Sequence, residues 1–505
     1  MVATAEQCNV GLVTQVTIDI LPDDALLEIF EFVLQHALVD EWYKLVHVCR
    51  KWRNVVFGSP RRLDLQIYCN ASTPVREKLN IWPELPLWVR GYGHEKWGTD
   101  NIFAGLEHTD RIRDLSLCDI PRPQSEKVLA KMQQPFPALT SLKFWFDRKA
   151  ETPPVVPASF LGGSAPLLRF LQLCNFSFPG LPKLLLSATH LVTLMLWNIP
   201  DSGHFSPEVL VTCLSALTRL ETLWIGFKSP RSRPDRRSRH PLARTVLPFL
   251  TRLYFKGVCE YLEDFVARID APLLDRLEIT FFHQLIFDTP QLTQFICRAP
   301  NFKAQNGAHV EFTERDVLVS FSQKTPYRTL VWNISCSQSD WQLSFLAQVC
   351  SSSFPQALIH TVEDLSIFGN RFSAVLLQDD FEINQWLELL HPFTAVKDLK
   401  LSRGIVWRIA TALRELVGDR TMEVLPALQT LSIDVPLPWD EQIPLRFPSL
   451  RFPWAWDYSE PIPSEFPFSS EFPFSSGVVQ ESFGQFVAAR ELAGRPVTIR
   501  RWRGF

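Results

Sequence analysis

The sequence predicts an α/β protein in which a small helical segment at the amino terminus precedes a long array of strand and helix repeats. A short pattern, apolar-x-x-Leu-x-apolar, recurs ten times between residues 112 and 433. Segments with helical spacing of apolar residues lie between the recurrences, and two further helical patterns occupy residues 18 to 57. With 505 residues, of which 46% are hydrophobic, the chain is long enough to bury such a core.

Charge and hydropathy exclude several classes of protein. Lys plus Arg number 51 and Asp plus Glu number 54, and this balance argues against a dedicated nucleic-acid binder. No apolar stretch reaches the ~18 residues that a membrane helix needs. Since the first fifteen residues lack the features of a signal peptide, we expect an intracellular protein, cytoplasmic and/or nuclear, with no nucleic-acid or membrane partner.

No motif for catalysis or metal binding is found. The 10 cysteines include no C-x-x-C, so free buried thiols are favoured over zinc ligands or disulfides. The histidines form no H-E-x-x-H, and neither G-x-S-x-G nor G-K-S/T occurs. We therefore expect no catalytic residues, no metal and no cofactor, although a site assembled in space from distant residues stays open.

The first helical patterns divide into two helices. Pro22 suits a first helical turn, and Asp23 and Asp24 favour the positive end of a helix dipole. One apolar stripe follows, made of Leu26, Ile29, Phe30, Val33 and Ala37. A second, in a helix that Asp40 can cap, contains Leu45, Val48, Cys49, Trp52 and Val56. Two helices of this size cannot form a self-sufficient core, so the apolar surface predicts a partner.

These residues resemble the F-box, a motif that begins with Leu-Pro, places Ile-Phe on its first helix and ends with Val-Cys-x-x-Trp. The likeness covers residues 17 to 57, and with the repeats behind it the chain resembles fungal F-box proteins; a longer link between the helices, with Trp42-Tyr43, departs from the motif. The resemblance implies docking on a Skp-type adaptor and, through it, on a cullin–RING ubiquitin ligase. It implies adaptor contacts for Leu21, Pro22, Leu26, Ile29, Phe30, Leu45, Val48, Cys49 and Trp52. An ordinary helical hairpin is the alternative.

The repeats have the spacing of leucine-rich repeats. Their successive central leucines lie 23 to 30 residues apart, at Leu115, Leu142, Leu171, Leu194, Leu223, Leu253 and Leu277. Prolines often precede the strands, and helices are predicted around Glu126, Glu208, Tyr261, Gln291 and Gln385. The array resembles the leucine-rich repeats that follow many F-boxes, in a degenerate form. The Asn or Cys position of that family holds Ile120, Phe176, Ile199 and Val258, and only Asn370 obeys it.

The interval from Leu277 to Leu365 leaves room for about two more repeats in no certain register. The sequences near Val317 and Leu330 could supply their strands.

The outward positions of the strands supply a candidate target-binding site. Alternation along a strand points its leucines to the core and their neighbours to the concave face. The aromatic or apolar side chains at such positions are Trp145, Met195, Trp197, Trp224 and Tyr254. They favour an interface for an unidentified protein substrate, or else rings that proline-rich loops bury. Arg252, Lys256 and Arg276 could bind an acidic or phosphorylated segment, or be merely solvated.

Taken together, the sequence predicts an α/β fold with a small N-terminal helical F-box followed by a degenerate leucine-rich-repeat-like α/β solenoid. The expected boundaries are 1–16 for a tail, 17–60 for the F-box, 61–110 for a linker or first irregular unit, 111–435 for the solenoid with a basic loop at 228–244, 436–477 for a Pro/Phe/Ser-rich loop and 478–505 for a capping unit. The basic loop suits either a localisation or phosphorylation signal or a mobile insertion. The repeated SEFPFS of residues 464–475 suits a sequence duplication or a docking peptide.

Three functions fit this organisation. The favoured one is a non-enzymatic substrate receptor, in which the F-box holds the ligase and the repeats present a target. The second is an F-box scaffold or assembly protein that acts outside the ubiquitin ligase. The third, an intracellular enzyme with an α/β core, predicts a deep pocket with convergent polar groups.

Overall fold

The computed structural model of the protein describes most of the chain. The described residues are 20–36, 42–58, 65–72, 74–81, 84, 86–92, 98–146, 152–230, 243–282, 289–303, 305–313, 316–322, 329–335, 350, 354–369, 383–416, 418–434 and 476–502. The chain divides into two compact units, residues 1–191 and residues 192–505.

Both units contain helices and strands. The helices of the first unit are α1 (Asp23–His36), α2 (Trp42–Val48), α3 (Arg50–Gly58), α4 (Val75–Ile81), α5 (Thr99–Leu106), α6 (Arg122–Lys131) and α7 (Leu181–Ser187). Those of the second are α8 (Pro207–Leu214), α9 (Cys259–Val266), α10 (Pro290–Arg298), α11 (Gln356–Ile359), α12 (Ile383–Leu390), α13 (Arg403–Arg414) and α14 (Ser476–Leu492). Five of them, α6, α8, α9, α10 and α12, confirm the helices predicted between the repeats.

The strands of the first unit form one parallel sheet. They are β1 (Leu65–Tyr68), β2 (Leu87–Tyr92), β3 (Ile112–Ile120), β4 (Ser141–Phe146) and β5 (Phe170–Cys174), and they neighbour one another in chain order. Two of these strands, β1 and β2, lie in the segment that the sequence left as a linker or irregular first unit. Helices α4 and α5 follow them, so strand and helix alternate ahead of Ile112 as well.

The strands of the second unit form a longer sheet with one antiparallel interruption. In chain order they are β6 (Thr193–Ile199), β7 (Thr222–Phe227), β8 (Thr245–Val246), β9 (Arg252–Gly257), β10 (Ile269–Asp270), β11 (Arg276–Phe281), β12 (Gly307–Phe312), β13 (Asp316–Ser322), β14 (Thr329–Ser335), β15 (Asp364–Gly369), β16 (Asp398–Leu401), β17 (Thr430–Asp434) and β18 (Thr498–Trp502). Their order across the sheet is β6-β7-β9-β11-β14-β13-β12-β15-β16-β17-β18, while β8 and β10 pair separately.

The antiparallel strand is β13, which pairs with β12 on one side and with β14 on the other. It occupies the interval in which the sequence left room for about two repeats. Residues 313–315 and 323–328, which connect the three strands, are too few for the crossover that two parallel strands require. The strand patterns near Val317 and Leu330 are therefore confirmed as strands, and short connections instead of crossover helices join β12, β13 and β14.

Leucine side chains of the repeated pattern form the core. The central leucines of seven successive recurrences, from Leu115 to Leu277, are 0% exposed. Since successive strand residues point to opposite faces, the intervening residues lie on the other face of the sheet. The fold class predicted from the pattern is thus confirmed to the level of an α/β array of repeated parallel strands and helices.

Polar residues with positive φ angles end three of the strands. Asp119, Asn175 and Asn198 have φ angles of 56°, 58° and 47°. Asn and Asp adopt this left-handed conformation at lower cost than other residues with a side chain. The sequence reading looked for a polar residue one position later and found the apolar Ile120, Phe176 and Ile199. The polar position is therefore displaced by one residue in these repeats. At Asp119 and Asn198 it coincides with a shift in strand register, after which Ile120 and Ile199 pair with the next strand.

The last helix and strand are joined to the preceding repeat by a buried arginine that the sequence did not single out. The side chain of Arg490, 0% exposed, lies among backbone carbonyls and donates hydrogen bonds of 3.2 to 3.4 Å to those of Thr421, Leu425, Pro426 and Leu428. Gly494, with φ 72°, follows the end of α14, and Leu492 at the last position of the helix is 91% exposed.

The described residues contain no disulfide, no cluster of metal ligands and no membrane-spanning helix. No disulfide joins the cysteines at the described positions, which are Cys49, Cys69, Cys118, Cys174, Cys213, Cys259, Cys297 and Cys350. The expected burial holds for six of these eight, whereas Cys297 is exposed and Cys49 is half-buried. Among the described residues, no three His, Cys, Asp or Glu side chains are grouped as a metal site would require. None of the helices in the described ranges has the length and apolar character needed to cross a membrane.

Candidate protein-interaction surfaces

The N-terminal helical segment, residues 20–58, has a small core of its own. Leu26 and Phe30 of α1 are 0% exposed, and the ring centroid of Phe30 lies 4.8 Å from that of Trp52 on α3. Leu45 of α2 is also buried. These side chains hold the three helices together, so Leu26, Phe30 and Leu45 are covered in this conformation. Their adaptor contacts stay a prediction.

The second predicted helix is in fact two. Helix α2 ends at Val48, and α3 begins at Arg50, with Cys49 between them. The backbone N–H of Trp52 donates to the Cys49 Sγ at 3.4 Å, which satisfies a donor at the start of α3. The break turns Val48 outward at the end of α2, and Val48 is 56% exposed.

Polar contacts connect α3 to the start of the segment. The Lys51 Nζ donates to the carbonyl oxygen of Leu21 at 2.8 Å and lies 3.9 Å from the Asp23 Oδ1. The Arg53 Nε donates to the carbonyl oxygen of Val46 at 3.0 Å. The Lys51 contact therefore holds Leu21 against α3, and the Arg53 contact holds α3 against α2.

Six of the predicted adaptor positions are at least partly accessible. Pro22, Ile29 and Val48 are exposed, and Leu21, Cys49 and Trp52 are half-buried. Three more large apolar side chains, which the sequence did not single out, are exposed on the same segment: Ile20, Phe32 and Phe57. The predicted apolar stripe of α1 includes Ile29, which is exposed, and omits Leu27, which is buried.

The residues of the second candidate site divide between the two units. Trp145 is half-buried on β4 in the first unit. The other seven lie on β6, β7, β9 and β11 of the second unit: Met195, Trp197, Trp224, Tyr254, Arg252, Lys256 and Arg276. Within the second unit, the register aligns Met195 with Trp224, Trp224 with Tyr254 and Tyr254 with Glu278.

Three aromatic rings form a stack across these strands, here called the aromatic stack: Trp197, Trp224 and Tyr254. The centroids of Trp197 and Trp224 are 4.4 Å apart, and those of Trp224 and Tyr254 are 3.6 Å apart with an interplanar angle of 25°. Arg276 continues the row, with its Cζ 5.6 Å from the Tyr254 ring centroid.

Stacking buries the rings that the sequence expected at the surface. Trp224 is 6% exposed and Tyr254 is 9% exposed, so little of either ring is open to a partner in this structure. Their part in target binding stays a prediction. Parallel strands lie ≈ 4.8 Å apart, and large rings at aligned positions cover one another at that spacing. Trp197 and Met195 are half-buried and accessible. Neighbouring rings cover the centre of this cluster, and its margin is accessible.

A buried carboxylate lies at the other end of the aromatic stack. Glu278 is 4% exposed, and its Oε1 accepts hydrogen bonds of 2.5 Å from the Nε and Nη2 of Arg276. Its Oε2 is buried and has no hydrogen-bond partner among the described residues. Burial raises the pKa of the Glu278 carboxyl, although Arg276 acts in the opposite direction. Burial also raises the pKa of the Tyr254 hydroxyl, to about 12.

The remaining cations differ in their surroundings. Arg252 is exposed, and its side chain has no hydrogen bond or ion pair with any described residue. Lys256 is half-buried, with its Nζ 5.6 Å from the Phe282 ring centroid. Most of the basic loop, residues 231–242, and most of the Pro/Phe/Ser-rich segment, residues 435–475, lie outside the described residues.

An open depression of ≈ 580 Å³ in the first unit bears on the enzyme hypothesis. Its polar lining includes Arg76, Glu77, Asp100, Asn101, Glu107 and Lys131. The Arg76 Nη2 lies 2.8 Å from the Glu107 Oε1 in an exposed ion pair, and the hydrogen bond from Arg76 lowers the pKa of Glu107. The depression is open, and its ion pair of Arg76 and Glu107 lies at the surface, so neither of these two groups is desolvated.

Comparison with known proteins adds little to this description of the surfaces. No protein-family model matches the chain, and none of the curated proteins matches it. Among solved structures, the chain is similar to the leucine-rich repeat-containing protein LegL7 from Legionella pneumophila, with 10% sequence identity over 74% of this chain and 90% of LegL7, and a TM-score of 0.28. A similarity at this level assigns neither a fold nor a function, and the architecture described above depends on the chain's own strands and helices.

Proposed function

We propose that this protein is a non-enzymatic substrate receptor of a Skp–cullin–F-box ubiquitin ligase. Its N-terminal helical segment binds a Skp-type adaptor, and its repeats bind a target protein. The ubiquitin-carrying enzyme is then brought close to the target, so the receptor contributes proximity and no chemistry of its own.

Exposure of the motif positions is the observation that carries the proposal. Pro22, Ile29 and Val48, which match marked positions of the F-box, are open to a partner, while Phe30 and Trp52 pack together beneath them. A monomeric helical segment gains nothing from exposed apolar side chains, whereas a helix-in-groove contact buries them. The segment is thus already folded around Phe30 and still has apolar surface to offer.

The repeats support the second half of the proposal. A parallel sheet of adjacent strands presents many side chains in register on one face, and repeat proteins use such faces to bind other proteins. Met195, Trp197, Arg252 and Lys256 are at least partly accessible on this face in the second unit. We therefore assign target binding to the accessible margin around the aromatic stack.

Co-purification with a Skp-type adaptor tests the first half. The variant Ile29→Ser/Val48→Ser changes two exposed side chains, so it keeps the Phe30–Trp52 packing that a Trp52→Ala change would remove. We expect the wild type to retain the adaptor through affinity purification and the double variant to lose it. Phe57→Ser is the matched control, because Phe57 is 40% exposed on α3 but lies outside the motif positions.

Equal retention of the adaptor by the wild type and by Ile29→Ser/Val48→Ser would contradict the proposal. An ubiquitylation assay then separates the receptor from an F-box scaffold that works outside the ligase. With cullin, RING protein and ubiquitin added, a receptor supports transfer to a bound protein, whereas a scaffold binds the adaptor and supports none.

A further inference from the structure

Two arginines stand side by side on the sheet face of the second unit. Arg252 of β9 and Arg276 of β11 are register partners in adjacent parallel strands, so both side chains leave the sheet on the same face. Like charges at directly opposed positions destabilise a sheet. This arginine pair, Arg252 and Arg276, therefore needs a compensating charge.

The compensation within the protein is incomplete. Arg276 has a partner in Glu278 and lies over the Tyr254 ring. The side chain of Arg252 is exposed and forms no hydrogen bond or ion pair with a described residue. The carboxylate of Glu278 is almost wholly buried and bonded through its Oε1, so it does not extend to the exposed side of the pair.

The surrounding strands add positive charge. Lys256 lies two residues beyond Tyr254 on β9, on the same face as the pair. Strands β6, β7, β9 and β11 together contain three cations and one carboxylate, the buried Glu278. The nearest other carboxylates in sequence, Glu221 and Asp275, precede β7 and β11 instead of lying on the outward positions.

We propose that this face binds an extended, Asp- or Glu-rich segment of a target protein. One carboxylate of the segment bridges Arg252 and Arg276, and an apolar side chain of the segment lies against the accessible edge of Trp197. The inference names the target class for the repeats and rests on that part of the proposed function in which the sheet face binds a protein.

Charge favours a carboxylate over a phosphate at the pair. Glu278 already neutralises part of the charge on Arg276, so a bridging group meets the full charge of Arg252 and a fraction of a second one. A carboxylate carries one negative charge and two acceptor oxygens, which suit two neighbouring guanidinium groups. A phosphate monoester brings a larger charge than the pair has left to neutralise.

Selection from a displayed library of random peptides on the full-length protein tests the inference. We expect the enriched peptides to be rich in Asp and Glu, and their binding to weaken as salt increases. For a selected peptide, Arg252→Gln should reduce affinity roughly tenfold or more, since it removes a charge-assisted hydrogen bond. Arg252→Lys should give an intermediate loss, because it keeps the charge and loses the planar fork.

Lys400→Gln is the matched control. Lys400 lies on the same face of the same sheet, aligned with Ser366 and Ser432, and its removal changes the net charge as Arg252→Gln does. Arg252 is exposed and unpaired, so its substitution leaves the fold intact, whereas an Arg276 variant would leave Glu278 buried without its partner.

Three results would overturn the inference: a selection that enriches neutral or basic peptides, equal affinity of the wild type and Arg252→Gln, or unchanged binding when Asp and Glu of the peptide become Asn and Gln. Binding of phosphoserine peptides alone would overturn the carboxylate assignment. The assay contains no adaptor, so loss of adaptor binding and loss of peptide binding are scored separately.

Discussion

The N-terminal helical segment and the sheet face around the aromatic stack contain similar apolar side chains but expose them differently. In the helical segment, Ile29 is 41% and Val48 is 56% exposed, whereas Trp224 is 6% and Tyr254 is 9% exposed on the sheet. A short helical segment has few neighbours to cover its outer positions. A parallel sheet repeats the same position every ≈ 4.8 Å, so its large side chains cover one another.

The difference shows what decides exposure. From periodicity alone, Ile29 is expected on a buried helical stripe and Trp224 on the outward face of a strand. The observed burial reverses both, because the register of adjacent strands and the size of aligned side chains count for more than the period of one element. We therefore expect the aromatic stack to contribute mainly to stability and the exposed helical positions mainly to binding.

The largest effect is expected for Trp224→Ala. The substitution removes the middle ring of the aromatic stack and leaves Trp197 and Tyr254 without their shared contact. The free energy of unfolding should fall by about 3–5 kcal/mol, the usual cost of truncating a buried aromatic side chain. Denaturant unfolding of the full chain measures it.

Trp224→Phe is the control for this change. It keeps a ring and removes a buried indole N–H that has no hydrogen-bond partner, so it should cost much less than the alanine change. If both variants kept the stability of the wild type, the rings would be surface anchors after all, and the comparison would fail.

Much of the fold could be predicted from the sequence, because repetition makes local signals cumulative. The leucines from Leu115 to Leu277 reported both the strands and their burial. The antiparallel β13 could not be predicted, since a strand that is buried on its alternate positions reads the same in either direction. Connection length was the available signal, because six or fewer residues cannot hold a crossover helix.

The candidate sites were predictable to a smaller extent. The motif positions Pro22 and Val48 were found, and so was the row that contains Trp224 and Tyr254. Glu278 and Arg490 were missed, because a charged residue in a sequence is expected at the surface, and only tertiary contacts supply the arginine or the backbone carbonyls that permit burial. Pairing between repeats carries no local sequence pattern.

A second test concerns Arg276→Leu, which removes the partner of Glu278. We expect a loss of about 2 kcal/mol in the free energy of unfolding at neutral pH, because the buried carboxylate keeps its desolvation cost without the ion pair. Burial already raises the pKa of Glu278, and loss of Arg276 raises it further. Stability of the variant should therefore recover as the pH falls through that pKa and the carboxyl takes up a proton.

The double variant Arg276→Leu/Glu278→Leu isolates the pair. It removes both charges together, so it should be more stable at neutral pH than Arg276→Leu alone and should lose the recovery at low pH. A single variant as stable as the wild type at neutral pH would mean that Glu278 has no buried charge to compensate.

The third test measures the burial of the Tyr254 hydroxyl through its pKa. Burial raises the pKa of its hydroxyl from 10.0 to about 12, so the folded protein should bind this proton more tightly than the unfolded chain does. The stability that this contributes is complete below the unfolded pKa and is lost as the pH rises toward about 12. Tyrosinate absorbance, compared between the wild type and Tyr254→Phe, reports the titration. A midpoint near 10 would show that the aromatic stack leaves the hydroxyl in water.

The smallest change in stability is expected for Ile29→Ser/Val48→Ser, the variant that tests adaptor binding. Both side chains are exposed, and substitutions of exposed residues usually change the free energy of unfolding by about 0.5 kcal/mol or less. The same variant should lose adaptor binding, since exposed apolar side chains gain their stabilisation only when a partner covers them. A combined measurement of unfolding and co-purification therefore separates binding from folding at one site.

Phe30→Ala is the contrasting variant, because it removes a ring at 0% exposure and should unfold the segment as well as abolish binding. If Ile29→Ser/Val48→Ser destabilised the segment as much as Phe30→Ala does, its exposed positions would belong to a core, and the contrast between helices that offer surface and strands that cover it would not hold.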